Sequence, residues 1–129
     1  MITLKLQNID VLRDAFVEAA KEAIEEVGKV NAEAWRGLKV QSPVKDGAFR
    51  GNWNVAVNND DESYDESKKD KTGSEPLPDI TFELDDNIYF TNALPYAEKL
   101  DVGASDQARQ GVTRPVAAKV ESYIRNRFK

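Results

Sequence analysis

In Met1-Ile2-Thr3-Leu4-Lys5-Leu6-Gln7-Asn8-Ile9-Asp10-Val11-Leu12 the hydrophobic period changes partway, and that change decides the fold class. Ile2, Leu4 and Leu6 alternate with Thr3 and Lys5, the signature of a short strand with one buried face. From Ile9 the period is helical. Ile9, Leu12, Phe16, Ala19, Ala23, Val27, Val30, Ala34 and Leu38 recur at steps of three and four, with Ile24 and Trp35 widening the stripe. One long amphipathic helix is expected over residues 9–39, capped by Asn8 or Asp10 and stopped before Pro43. Gly28 lies inside it and predicts a bend, because a helix-interior glycine costs about 1 kcal/mol relative to alanine. At about 1.5 Å per residue the helix would be roughly 45 Å long, more than so small a domain covers, so part of its stripe is expected to meet a neighbouring subunit.

Further along, Trp53, Val55 and Val57 alternate with polar or small residues and read as a second strand. Residues 59–78 are dominated by Asp, Glu, Lys and Ser, with Tyr64 and Leu77 as the sole anchors, and read as a mobile hairpin loop. Ile80, Phe82 and Leu84 alternate again, and the break Asp85-Asp86-Asn87 before Ile88-Tyr89-Phe90-Thr91 predicts a tight turn between two antiparallel strands. Pro95 to Leu100 suits a short helical turn, and Gly103 to Gly111 a second flexible loop. Thr113 and Pro115 open a closing helix whose buried face is Val116, Val120, Ile124 and Phe128. The sequence thus predicts a single α+β domain spanning residues 1–129. Its long N-terminal and C-terminal helices pack on a small antiparallel sheet that carries a long mobile hairpin loop.

Composition narrows the function. The chain has no His and no Cys, so neither a Ser-His nor a Cys-His relay can be built, and disulfides and zinc-thiolate sites are excluded. A non-enzymatic role is expected, with no catalytic residue and no cofactor. A net charge of −5 argues against general nucleic-acid binding, which needs clustered cations. No apolar run approaches the roughly 20 residues of a membrane span, and the alternating start is unlike a secretion signal. Asp60-Asp61-Glu62 and Asp85-Asp86 offer oxygen ligands for a hard cation but read more simply as solvated turns, and no metal is expected. A weak metal-dependent hydrolase reading rests on the same acids. Neither Gly47-Ala48-Phe49-Arg50-Gly51 nor the stretch from Gly103 to Gly111 has the spacing of a phosphate-cradling loop. Arg36, Lys39, Lys45 and Arg50 could gather round an anion, though scattered cations more often serve solubility or ion pairs. The cations of the last helix, Arg114, Lys119, Arg125, Arg127 and Lys129, either face an acidic partner or complement the helix dipole.

Two phrases remain, Ser42-Pro43-Val44-Lys45-Asp46-Gly47-Ala48-Phe49-Arg50-Gly51-Asn52-Trp53 and Tyr89-Phe90-Thr91-Asn92-Ala93-Leu94-Pro95-Tyr96-Ala97-Glu98-Lys99-Leu100-Asp101-Val102-Gly103. Each joins turn-forming residues to large apolar ones, as shaped interface loops do. In this order, and with Gln107-Ala108, Gly111 and Val112 before the last helix, they resemble the tail-completion or neck proteins, the minor tail proteins of long-tailed bacteriophages. The resemblance covers about residues 35–120. Asp46 stands where Thr is usual in that family, Asp101 where Glu is common and Arg109 where Pro is frequent. The resemblance implies a structural virion protein at the head-proximal end of the tail, forming a homo-oligomeric ring, often sixfold, that joins the tail tube protein to the head connector. Candidate interface residues are Phe49, Arg50, Trp53, Asn92, Leu94, Pro95, Tyr96 and Leu100. Acidic loop residues lining the lumen would let DNA pass without sticking. The expected location is the virion, with assembly in the host cytoplasm and no membrane partner. The alternative is a small adaptor or regulatory domain that binds a host protein through the same loops.

Overall fold

Alternating apolar residues in three short segments produce the sheet: β1 (Ile2–Gln7), β2 (Trp53–Val57) and β3 (Asn87–Asn92), antiparallel throughout in the order β1-β3-β2. The computed structural model describes residues 1–7 and 20–127. The register places Ile2, Asn92 and Trp53 in one cross-strand row and Leu4, Phe90 and Val55 in the next. Because side chains alternate across a pleated sheet, these rows share one face, and that face is the core side. Thr3 and Thr91 occupy the opposite face, their hydroxyl oxygens 3.2 Å apart, beside Lys5, whose ammonium lies 5.4 Å from the Tyr89 ring centre.

Two helices cover the core face. α1 (Ala20–Gln41) buries Ala23, Val27, Val30, Ala34, Trp35 and Leu38, the stripe its spacing predicts, and runs unbroken through Gly28. It ends where Pro43 requires, and the Ser42 hydroxyl returns to the Leu38 carbonyl at 2.6 Å. The short α2 (Ala48–Gly51) and α3 (Ala97–Asp101) lie in the two phrases. α4 (Thr113–Arg127) packs on α1 through Val116 and Val120, with Ile124 half-buried. Gly37 makes room for this crossing, since a Cβ there would stand 3.1 Å from Val116. Arg127 of α4 and Lys29 hold the Glu26 carboxyl of α1 down at about 2 through hydrogen bonds and charge. Trp35 and Phe90, with ring centres 6.5 Å apart, join α1 to the central strand. Leu38, Phe90, Ile88 and Val116 are fully buried, and each contributes about 1.5–3 kcal/mol relative to an exposed side chain.

The α+β class is as the sequence predicts; some finer features are not. Residues 80–84 form no strand, although Ile80 and Phe82 are half-buried against the core as their alternation suggests. The reason is topological. Both edges of β3 are already taken, by β1 and by β2, so no strand can pair with it from residues 80–84. The predicted turn does form, with the Glu83 N–H donating to Asp86 Oδ2 at 2.7 Å and the Asp86 N–H to the Glu83 carbonyl. It leads the extended segment into β3. The helix expected over residues 9–19, its caps at Asn8 or Asp10, and the placement of Phe128 lie outside the described residues.

Candidate functional site

The two phrases meet at the end of the sheet where β2 begins and β3 ends, because Trp53 and Asn92 are register partners. The Asn92 side chain fastens them. Its Nδ2 donates to the Phe49 carbonyl at 2.8 Å and its Oδ1 accepts from the Leu94 N–H at 3.2 Å. Trp53 stands edge-on to Phe49 with ring centres 5.7 Å apart and donates its indole N–H to the Ser42 hydroxyl at 2.8 Å. Phe49 in turn lies 6.4 Å from the Tyr96 ring. This buried polar and aromatic chain fixes both loops against one platform, since an unpaired amide in so dry a place would cost about 1–3 kcal/mol.

Above the platform lies a groove of about 720 Å³ bounded by Val44, Asp46, Phe49, Tyr96, Leu100 and Gln107. Gln107 closes one end by acting as a strand would: its Nε2 donates to the Val44 carbonyl and its Oε1 accepts the Val44 N–H, both at 2.9 Å. The Ala48 N–H donates to Asp46 and, with Lys69 nearby, holds that carboxyl below its usual value. Burial, together with the Asp46 and Glu66 charges, pushes the Tyr96 phenol up, so it remains a neutral donor. Apolar walls, a carboxylate, a phenol and an amide make a surface suited to binding.

A second polar cluster lies behind α2. The Lys39 ammonium is fully buried and donates to the Arg50 carbonyl at 2.7 Å and to Glu75 Oε1 at 2.8 Å, with Asp70 Oδ2 3.3 Å away and the Trp35 ring centre at 4.7 Å. Burial pushes the Asp70 and Glu75 carboxyls up, but hydrogen bonds and charge from Lys39, aided by backbone N–H groups at Asp70 and by Lys68 at Glu75, hold both below their usual values. Around this centre the loop between β2 and β3 is pinned. Asn52 Nδ2 donates to the Ala48 and Asp65 carbonyls, and Arg50 Nη1 donates to the Lys71 carbonyl at 2.9 Å. Gly51 permits the close approach, because a Cβ there would stand 2.7 Å from the Lys68 carbonyl oxygen.

The loop after α3 is fixed differently. Gly103 and Gly111 take positive φ, and a Cβ on Gly111 would stand 2.0 Å from the Asp101 carbonyl oxygen. Asp101 then caps α4 from outside the helix. Its Oδ1 accepts from the Thr113 N–H at 2.8 Å and the Val112 N–H at 3.1 Å, and the Thr113 hydroxyl donates to Oδ2 at 2.7 Å.

Of the candidate interface residues, Phe49, Trp53, Asn92 and Leu94 are buried within the chain, where they build the platform. Arg50 is half-buried behind it. Pro95 and Tyr96 are exposed and Leu100 is half-buried, and Tyr96 and Leu100 face the groove. Of the cations considered as an anion cluster, Lys39 and Arg50 come together, whereas Arg36 is exposed and pairs with Glu33 at 2.7 Å. No group of acidic residues among those described could hold a metal ion. Sequence reasoning missed the roles of Lys39, Asn52, Asp101 and Gln107. Lys39 carried a signal, since it falls four residues after Trp35 on the buried side of α1. Comparison with protein-family models, with curated proteins and with solved structures found no match to this chain.

Proposed function

We propose that this chain is a structural virion protein at the head-proximal end of a phage tail, where copies close into a ring that completes the tail and meets the head connector. The observation that carries the reading is the convergence of the two phrases: segments far apart in sequence share one platform through Asn92 and leave Tyr96, Leu100 and Val44 bordering an open groove. Shaped apolar loops on a rigid sheet suit a head-to-tail contact, in which each copy offers different surfaces to its two neighbours. The hairpin loop between β2 and β3 presents Glu62, Asp65 and Glu66 toward a lumen that DNA crosses without binding.

Light scattering of the purified protein, alone and with tail tube protein, followed by negative-stain imaging, tests this. Rings of uniform diameter are expected, and Tyr96→Ala should reduce their yield while the variant stays folded. A species that remains monomeric at every concentration and with tail tube protein present would sink the reading.

A further inference from the structure

The loop between β2 and β3 has two unlike parts. From Leu77 onward it contributes Leu77, Ile80 and Phe82 to the core cluster. Residues 58–76 contribute no side chain to that cluster, and Tyr64 stands half exposed. Within this second part, residues 65–75 are nevertheless held closely, and by polar contacts. The donors come from the body of the protein. Trp35 Nε1 donates to the Glu75 carbonyl at 2.8 Å, Arg50 Nη1 to the Lys71 carbonyl, and Lys39 to the Glu75 carboxylate, while the Asp70 N–H returns to the Gly47 carbonyl at 2.9 Å.

We propose that residues 65–75 form a detachable strap that occupies, within its own chain, a binding site built by Trp35, Lys39 and Arg50 for a turned peptide segment with carboxylates spaced as Asp70 and Glu75 are. Two of the donors grip main-chain carbonyls and the third grips carboxylates, and the Gly73 and Glu75 N–H groups fold back on the Asp70 carboxylate, so the site reads a turned backbone that carries acids at a set spacing. Detachment costs little apolar burial, because the Trp35 ring keeps its contact with Phe90 on the core side. It also lets Lys39 regain water, which offsets part of the lost ion pairing. The sheet and the α1–α4 contact do not depend on the strap, so it opens as a unit below the energy of global unfolding.

Charge controls the opening. The groups facing the two strap carboxylates are Lys39 of α1 and, from the strap itself, Lys68 and the Gly73 and Glu75 N–H groups, while Lys69 pairs with Asp46 at 3.7 Å. Both carboxyls are held below their usual values, so their contribution is complete above the ordinary carboxylate range and is lost as pH falls through their lowered values.

Hydrogen exchange with mass-spectrometric readout on the full chain at pH 7 and pH 3 tests this, with β3 amides as the internal reference. Protection factors over residues 65–75 should fall at pH 3 while those of β3 persist. At pH 7, Glu75→Gln should speed exchange of the same segment about tenfold, the equivalent of one charge-assisted hydrogen bond, and leave β3 unchanged. Gly51→Ala, which alters no charge, should do likewise, since its Cβ would stand 2.7 Å from the Lys68 carbonyl oxygen. A labelled peptide of residues 65–77 should bind the Glu75→Gln variant and not the parent chain. Loss of strap protection only together with β3, or failure of the peptide to bind the opened variant at millimolar concentration, would overturn the proposal.

Discussion

Residues 59–78 and residues 103–111 both lie between regular elements, both are rich in polar residues, and both read from the sequence as loose. The first connection is held by side chains that reach out from the body, Lys39, Trp35, Arg50 and Asn52, and bind its carbonyls and carboxylates. The second is held by backbone pressed against backbone at Gly103 and Gly111, with Asp101 closing the cap of α4. The difference is one of vulnerability. A connection gripped through charge yields to changes of charge or pH, whereas one gripped through close approach yields to added volume.

The largest effect should come from volume. Gly111→Ala places a methyl group 2.0 Å from the Asp101 carbonyl oxygen at a positive φ, so it should destabilise by more than about 3 kcal/mol, read as a lowered urea midpoint. Lys39→Ala comes next, at about 3 kcal/mol, the low end of the range for breaking a buried ion pair because Glu75 can recover water. Its Trp35 emission should shift to the red even where the fold persists. Asp101→Ala removes the cap from Val112 and Thr113 and should cost about 1–2 kcal/mol without altering exchange over residues 65–75. A variant at Asp101 that loosened the strap would break the division between the two connections. Tyr96→Ala should have the smallest effect on stability, about 1 kcal/mol from the lost contact with Phe49. Its effect on ring yield would separate a binding surface from a packing one.

Much of the framework was legible. The strand pattern in Ile2 and Leu4, the stripe from Ala23 to Leu38, and Val116 with Val120 were read at their right faces, because a half-buried element stamps its period on the sequence. Alternation failed at Ile80, Phe82 and Leu84, where it recorded one-sided burial of an extended segment and not pairing. Period reports which side is dry; it does not report where the backbone hydrogen bonds go. Among the candidate interface residues the signal had the same limit. Trp53, Leu94 and Tyr96 are all large side chains in shaped loops, yet Trp53 and Leu94 are buried and Tyr96 is 38% exposed.

The sequence by itself determined the α+β class, the presence of β1 and β2, the start of α4, the C-terminal end of α1, and the absence of His and Cys chemistry, because each follows from residue type or local period. Tertiary structure alone decided that β3 lies between β1 and β2, that Lys39 is buried against carboxylates from a loop more than thirty residues away, and that Gln107 pairs with Val44. These depend on which surfaces meet once the chain has folded, and no local period encodes the partner of a polar side chain across such a distance.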